Sequence, residues 1–157
     1  MSTTHTATLT LLDGMAFQAA SGSGHTLTLD ANPAAGGQER GPRPMELLLL
    51  GLGGCTAMDV ISILRKMRQE VTDYRVEVSG ERAETHPQVY TRLTVEHVVT
   101  GRRLDEALVR RAIELSDTRY CSAAAMLRQA APITTRYRLI DADTGAVTAG
   151  DLTTVPA

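Results

Sequence analysis

The N-terminal part of the chain alternates polar and apolar residues, which is the period of a half-buried β-strand. A Gly/Ser run and the Asp13-Gly14 pair interrupt this alternation, and both are turn signals typical of hairpins. The sequence therefore predicts a three-stranded antiparallel meander, which with its following loop covers residues 1–40. The three strand patterns cover residues 4–11, 15–19 and 25–30.

A long apolar stretch then changes the period from that of a strand to that of a helix. Pro44 suits a first helical turn, and Glu46 lies where the helix dipole favours an acid. The pattern predicts a central helix over residues 44–68, with a first half that is apolar on almost every face. Its apolar run, residues 47–58, is shorter than the about 20 residues that span a membrane. We therefore expect a buried helix and no membrane anchor.

The remainder of the chain, residues 72–140, predicts strands followed by helices and one more strand. Charged residues between the apolar positions of the strands indicate a sheet with one solvated face. Beyond residue 140, the Thr, Gly and Ala composition predicts a loose tail over residues 141–157. The predicted elements are strands at 73–80 and 89–99, helices at 104–116 and 120–130, and a strand at 133–140.

This order of elements predicts the fold class. Because strands and helices are segregated along the chain, we expect an α+β fold with antiparallel sheets rather than a doubly wound one. A chain of 157 residues has the length of a single domain. A helix that is apolar nearly all round needs more cover than one small sheet provides. We therefore expect a homodimer in which two copies bury each other's central helices.

Composition excludes several classes of partner. The net charge is −2 with both signs mixed, and aromatic residues make up 3% of the chain, so we expect neither nucleic-acid nor anionic-membrane binding. The four histidines lack ligand spacing, and we predict no metal site from them. The first residues do not resemble a signal peptide, which predicts a cytoplasmic, reducing location.

The two cysteines carry the candidate chemistry. Cys55 lies inside the apolar helix, and Cys121 lies at the start of a short predicted helix. Buried cysteines often serve as small apolar core residues. In a reducing compartment, however, a pair that forms a transient disulfide indicates redox chemistry. Both interpretations stay open from the residues alone.

Two segments resemble a known family. Residues 41–60 read GPRPMELLLLGLGGCTAMDV and residues 115–122 read LSDTRYCS, and both resemble the OsmC/Ohr family of osmotically inducible and organic hydroperoxide resistance proteins. Residues 80–87 (GERAETHP) are also similar, and the likeness spans most of residues 5–140. The pattern is closer to a less characterised OsmC-like branch. The resemblance implies an intertwined α+β homodimer with two interfacial sites, which reduce hydroperoxides with a thiol pair and without metal or bound cofactor.

The resemblance also assigns roles to residues. It implies that Cys55 attacks the peroxide and that Cys121 resolves the product. In the organic hydroperoxide branch the active-site glutamate directly follows the helix-opening proline. Here Met45 holds that place and Glu46 comes one residue later, which turns the side chain by about 100°. The family's hairpin arginine is missing, and the nearest substitutes are Arg40 and Arg43 in the loop before the helix.

Thiol chemistry explains why these residue types are needed. Peroxide is attacked by a thiolate, and Cys55 lies too deep in its helix for the dipole to act strongly. We therefore predict that Arg40 or Arg43, oriented by Glu46, activates Cys55. The resulting sulfenic acid condenses with Cys121 to a disulfide, and an external dithiol reduces it.

Two functions of different classes remain open. The first is a thiol-dependent peroxidase acting on organic hydroperoxides, or on hydrogen peroxide, in oxidative stress defence. It requires the two cysteine Cα atoms to lie about 4.4–6.8 Å apart. The alternative is a non-catalytic binder of a small apolar ligand in a dimer-interface cleft. We expect Asp59 either to face basic residues of a partner copy or to mark the solvated side of the helix, and His97 to lie on a strand surface.

Overall fold

A computed structural model describes residues 2–152 and divides the chain between Leu48 and Leu49 into two units. The N-terminal unit contains the predicted meander, with strands in the order β1-β2-β3 and both ladders antiparallel. Gly14, in the first turn, has φ of 55°, a left-handed conformation that a residue without Cβ adopts readily. The strands are β1 (Ala7–Leu11), β2 (Phe17–Ser21) and β3 (Thr26–Leu29).

The central helix, α1, covers Pro44–Lys66 and is close to its predicted bounds. Its buried side chains lie mainly at every fourth position and form one stripe, as a helix packed on a single surface requires. Leu50 and Met58 lie off this stripe and are 62% and 73% exposed. Among residues 2–152, the buried side chains of α1 therefore lie on one face and not around most of its circumference. The stripe consists of Leu52, Thr56, Val60 and Leu64.

By length and composition alone, α1 is also long and apolar enough to cross a membrane. The whole 23-residue helix is long enough to span a membrane, whereas its apolar run, residues 47–58, is shorter than such a span. The buried stripe packs into the core of the C-terminal unit through Val60 and Leu64. This packing is the arrangement of a core helix.

The C-terminal unit contains a four-stranded sheet in the order β4-β5-β6-β7. The α+β fold class predicted from the sequence is confirmed, but one ladder differs from the expected antiparallel pairing. The outer pairs are antiparallel, whereas β5 and β6 are parallel. The helices between β5 and β6 form a crossover, which returns the chain in the same direction. The strands are β4 (Glu70–Arg82), β5 (Tyr90–Arg102), β6 (Ile133–Asp141) and β7 (Val147–Asp151).

Two helices and a short π-helical turn form the crossover. Helix α2 covers Glu106–Leu115, the π-helical turn covers Ser116–Tyr120, and α3 covers Ser122–Leu127. The Asp105 carboxylate accepts two backbone N–H bonds at the start of α2, as a good N-cap does. Buried residues of α1, α2, β5 and β6 make one apolar cluster. This cluster includes Val60, Leu64, Val99, Val109, Ala112, Ile113, Tyr137, Leu139 and Leu152.

The predicted loose tail is wrong for the described residues after 141. Strand β7 pairs with β6, and Leu152 is 5% exposed within the core cluster. A Cβ on Gly150 would lie 2.5 Å from the Tyr137 hydroxyl oxygen, so glycine allows the tyrosine to lie against β7. The short strand lacks an alternating run of large apolar residues, which is why its pattern did not predict it. Residues 153–157 of the predicted tail lie outside the described residues.

Leu152→Ala tests whether this C-terminal segment stabilises the fold. We expect the free energy of unfolding to fall by about 2–5 kcal/mol, because the substitution leaves a cavity in the core. Val147→Ala, on the same segment but 58% exposed, should change it by less than about 0.5 kcal/mol. Urea unfolding followed by circular dichroism measures both. Equal effects of the two substitutions would contradict a structured C-terminus.

Candidate active site

The fold of the C-terminal unit brings the two cysteines together. The Sγ atoms of Cys55 and Cys121 and a carboxylate oxygen of Asp59 all lie within 4.8 Å of one another. Both cysteines are free thiols. Cys55 is partly exposed, whereas Cys121 is 3% exposed. Residues far apart in sequence therefore form one compact cluster of two thiols and a carboxylate.

Helix α1 supplies two members of this cluster. Cys55 and Asp59 are four residues apart, so their side chains project from the same side of the helix. The helix packs closely on β4 next to these residues, since a Cβ on Gly53 would lie 3.0 Å from Cγ2 of Val78. Glycine at this position therefore allows the backbone of the cysteine-bearing turn to approach the sheet.

The π-helical turn positions Cys121. Its backbone N–H donates to the carbonyl oxygen of Ser116 at 2.8 Å, closing the wide turn. Cys121 is also the N-cap of α3, where its Sγ accepts a hydrogen bond from the Ala124 N–H at 3.3 Å. An ion pair of 2.7 Å between the mostly buried side chains of Arg128 and Asp117 links the turn to the end of α3. These contacts fix the backbone of Cys121, and the Ala124 N–H orients its sulfur atom.

A chain of hydroxyl groups ends on the carboxylate of the cluster. Ser116 Oγ donates to Asp59 Oδ2 at 3.0 Å and lies 2.9 Å from Thr56 Oγ1. A serine hydroxyl has one proton, so Thr56 is the donor in the second hydrogen bond. The hydrogen bonds therefore run in one direction, from Thr56 to Ser116 and from Ser116 to Asp59. Because Ser116 and Thr56 are buried, this chain fixes the carboxylate beside the thiols.

Burial dominates the electrostatics of Cys121. Desolvation raises the pKa of its thiol to about 12, and the nearby Cys55 and the Asp59 charge act in the same direction. The hydrogen bond from the Ala124 N–H lowers the pKa but does not offset the burial. Cys121 is therefore a protonated thiol at neutral pH.

A hydrogen-bonded pair of the partly buried Tyr74 and the buried His97 lies in the sheet of the same unit. The Tyr74 hydroxyl and His97 Nδ1 are 2.8 Å apart, and the two rings are stacked. Burial raises the pKa of Tyr74, and the charge of Asp59 adds to this. Desolvation lowers the pKa of His97 to about 4. His97 is 1% exposed, so its predicted place on the strand surface is wrong, because the pattern did not show which face is covered.

The proposed activating residues lie in the N-terminal unit. Arg40 forms ion pairs with Asp13 at 2.7 Å and with the buried Asp30 at 3.4 Å. These contacts tie the loop before α1 to the meander. The Arg40 guanidinium therefore has aspartate partners and not the expected Glu46.

Glu46 and Arg43 contact each other in a different way from the expected clamp. The Glu46 carboxylate accepts the backbone N–H of Arg43 at 2.8 Å, while the Arg43 guanidinium contacts Glu39 at 2.6 Å. Glu46 therefore satisfies a backbone donor at the start of α1, as an acid at a helix N-terminus commonly does.

Asp59 was not identified from the sequence as part of the site. We expected it to face a partner copy or to mark a solvated stripe, and the structure places its carboxylate beside the two cysteines. One signal was available, since an acid four residues after a cysteine in an apolar helical run shares its face. No comparable signal pointed to Ser116, whose role depends on how α2 packs.

An apolar cavity of about 340 Å³ lies between α1 and β4. Gly54, which directly precedes Cys55, is part of its lining. This cavity has the chemical character to accommodate a hydrocarbon chain. The lining residues are Leu49, Leu50, Gly53, Gly54, Ala57, Val76 and Val78.

The chain is similar to several known proteins. A family model described as OsmC-like protein matches residues 36–136. Protein YhfA of Escherichia coli (strain K12) is 42% identical over 131 residues, which cover 83% of this chain and 95% of YhfA. The crystal structure of a hypothetical protein from Aquifex aeolicus VF5 has a TM-score of 0.79 at 29% identity, covering 90% of this chain and 100% of that protein.

A more distant structure shares the fold. The crystal structure of an organic hydroperoxide resistance protein OsmC from Legionella pneumophila has a TM-score of 0.59 at 18% identity. It covers 85% of this chain and 95% of that protein. At this identity the similarity establishes the common fold alone.

The lowered pKa of His97 predicts a pH dependence of stability. On acidification, the unfolded histidine gains a proton near its ordinary value of 6.5, while the folded one stays neutral until about pH 4. The unfolded state therefore binds more protons, and stability falls as the pH falls through this window, by up to about 3 kcal/mol. Urea unfolding of wild type and His97→Gln between these pH values measures the difference. His25→Gln, at an exposed histidine, is the matched control, and identical pH slopes for wild type and His97→Gln would contradict the assignment.

Proposed function

The chain belongs to the OsmC-like family, and we propose that it is a thiol-dependent peroxidase in oxidative stress defence. Its substrates are organic hydroperoxides or hydrogen peroxide. The observation that carries this proposal is the distance of at most 4.8 Å between the Sγ atoms of Cys55 and Cys121. Two thiols this close need only small side-chain movements to form a disulfide.

The different environments of Cys55 and Cys121 support different roles for the two thiols. The partly exposed Cys55 is the proposed attacking group: its thiolate bonds to one peroxide oxygen, the O–O bond breaks, and the alcohol leaves after taking up a proton. Cys55 is then a sulfenic acid. The Cys121 sulfur attacks it, forming the disulfide and releasing water. An external dithiol returns both cysteines to thiols.

Asp59 supports the second step. Cys121 holds its proton at neutral pH because it is buried, so its attack on the sulfenic acid requires a proton acceptor. The Asp59 carboxylate lies in the same cluster and is the proposed acceptor. The proton then combines with the departing hydroxide to give water, so the step is balanced.

The relatives support the chemistry to different degrees. The Legionella pneumophila protein is named an organic hydroperoxide resistance protein, which suggests the substrate class. YhfA is much more similar in sequence, but its name states no activity. The apolar cavity beside the Cys55 turn supports a hydroperoxide with a hydrocarbon tail. The same cavity is the one observation that favours the alternative function, binding of a small apolar ligand without turnover.

We also propose a homodimer in the cytoplasm. The OsmC-like fold is a soluble fold, and a cytoplasmic location would supply the dithiol reductant. Leu50, Met58 and Met126 are large apolar side chains that are more than 60% exposed. A second copy that covers them would bury the exposed apolar side chains of α1 and α3. The proposed peroxidase cycle uses no bound cofactor, and we propose that the chain binds neither nucleic acid nor a membrane.

Mass spectrometry of the intact protein tests the two cysteine roles. After one equivalent of cumene hydroperoxide, the reduced wild type should lose two hydrogen atoms, and Cys121→Ser should gain one oxygen atom. Cys55→Ser should stay unchanged, because it lacks the attacking thiol. Thiols that stay reduced over minutes in the wild type would contradict the peroxidase. Saturable binding of a fatty acid by that unreactive protein would then favour the apolar-ligand alternative.

The proposed activation of Cys55 by Arg40 and Glu46 rests on the family resemblance. If Arg40 supplies the activating charge, Arg40→Met should slow oxidation of Cys55 at pH 7 by about tenfold or more. Loss of a cation that shifts a thiol pKa by one unit has this effect. Arg43→Met tests the alternative arginine by the same measurement, and Glu46→Gln should slow oxidation if Glu46 orients the arginine. Arg92→Met, at an arginine whose side chain is 62% exposed, is the matched control and should change the rate by less than about twofold. Stopped-flow oxidation rates measured across pH separate this effect from unfolding. Loss of activation shifts the rise of the rate with pH to higher pH, whereas unfolding does not. An unchanged rate and profile in Arg40→Met would exclude its role.

A further inference from the structure

The cluster of two thiols and one carboxylate also has the composition of a metal site. Cys55, Asp59 and Cys121 each offer one ligand atom, and these atoms lie within 4.8 Å of one another. Two of the donors project from one side of α1 at a spacing of four residues, and the third comes from the residue that caps α3. The donors therefore belong to regular, packed elements and not to mobile loops. The set contains no histidine, so the spacing of the histidines along the chain did not indicate it.

The charge balance of the cluster is unusual. Among residues 49–152, no lysine, arginine or histidine forms an ion pair with Asp59, and its hydrogen-bond donor is the Ser116 hydroxyl. Ionisation of either cysteine would place a second negative charge beside this carboxylate. Like charges at such distances disfavour each other in a partly buried site. A divalent cation would stabilise all three anionic groups together.

We propose that the reduced protein binds one Zn²⁺ ion through Cys55, Cys121 and Asp59, with a water molecule as the fourth ligand. On binding, each thiol loses its proton to solvent and forms a Zn–S bond, and the carboxylate forms a Zn–O bond. No group is oxidised or reduced in this step. Three protein ligands and one exchangeable position are typical of accessible zinc centres.

The donor types and distances favour zinc over harder cations. Thiolates are soft ligands that select Zn²⁺ over Mg²⁺ or Ca²⁺. In a tetrahedral zinc site, Zn–S bonds of about 2.3 Å place the two sulfur atoms about 3.8 Å apart. Since the two sulfur atoms lie at most 4.8 Å apart, reaching this geometry needs movements of at most about 1 Å, which side-chain rotation provides. Cd²⁺ has similar preferences and is expected to compete.

The surroundings fit an oriented and accessible ligand. The Ser116 hydroxyl donates to one oxygen of Asp59, as the outer hydrogen bonds of metal-binding carboxylates commonly do. A surface cavity of about 500 Å³ includes Asp59 in its lining, together with Ser62 and Tyr120. This opening gives an ion in solution a route to the carboxylate.

Zinc binding and disulfide formation exclude each other, because both use the same two sulfur atoms. Combined with the proposed peroxidase function, this makes zinc release a product of oxidation. One hydroperoxide and two protons would convert the zinc dithiolate to a disulfide, an alcohol, water and free Zn²⁺. The two thiolates lose two electrons and the peroxide gains them. Zinc would therefore protect the reduced thiols until a peroxide removes it.

Metal titration of the reduced, metal-free protein tests the site directly. Under anaerobic conditions we expect one Zn²⁺ per chain by equilibrium dialysis. Co²⁺ should give the near-ultraviolet charge-transfer band of cobalt–thiolate bonds and the visible bands of a tetrahedral ion. Cys55→Ser and Cys121→Ser should remove the charge-transfer intensity in part, and Asp59→Asn should weaken Zn²⁺ binding by at least about tenfold. Asp73→Asn, at an exposed carboxylate on β4, is the matched control and should bind as wild type does.

The wild-type chain oxidised with diamide provides a test without substitutions. Formation of the disulfide, verified as a loss of two hydrogen atoms, should abolish Zn²⁺ binding. Equal binding before and after oxidation, or a cobalt spectrum without thiolate bands, would overturn the proposal. Because diamide does not depend on peroxide reactivity, zinc binding by a peroxide-inert protein would leave this inference standing and reject only the peroxidase. Peroxide turnover without zinc binding would reject the zinc site and leave the peroxidase standing.

Discussion

The candidate site depends on the hydrogen-bonded chain from Thr56 through Ser116 to Asp59, which joins the central helix to the end of α2. Both hydroxyls are buried, and a buried hydroxyl without a partner would cost free energy. The chain therefore specifies one register between the two helices. Since Cys55 lies one residue before Thr56 and Cys121 directly follows the turn that begins at Ser116, this register also determines the distance between the thiols.

The charge of the cluster distinguishes its chemistry from that of an isolated reactive cysteine. A cysteine activated by an arginine needs a cation beside the sulfur, whereas the Asp59 carboxylate lies beside these thiols. A carboxylate can accept a proton and can bind a metal cation. This is why the same three side chains support both a proton-transfer role in disulfide formation and a zinc site. The two proposals differ in which cation the cluster holds, a proton or a metal ion.

Much of the local structure followed from the sequence. The meander, the start of α1 at Pro44 and the strands β4 and β5 agree with their patterns, because period, turn residues and helix-start residues act over a few positions. His97 and the C-terminal strand did not follow from their patterns. The alternation around His97 marks two faces of a strand but not which face is covered. Strand β7 depends on a ladder with β6 and on Gly150 beneath Tyr137, which are contacts between distant segments.

The sequence by itself determined the fold class, the family resemblance and the two cysteines as the candidate chemistry, since these depend on residue types and on local spacing. The tertiary structure alone decided that β5 and β6 are parallel, that Asp59 lies with both thiols, and that Arg40 pairs with Asp13 and Asp30. The physical reason is the range of the interactions. Hydrogen bonds within a helix or a turn connect neighbours in sequence, whereas the packing of α1 and α2 on the sheet joins residues that no local pattern relates.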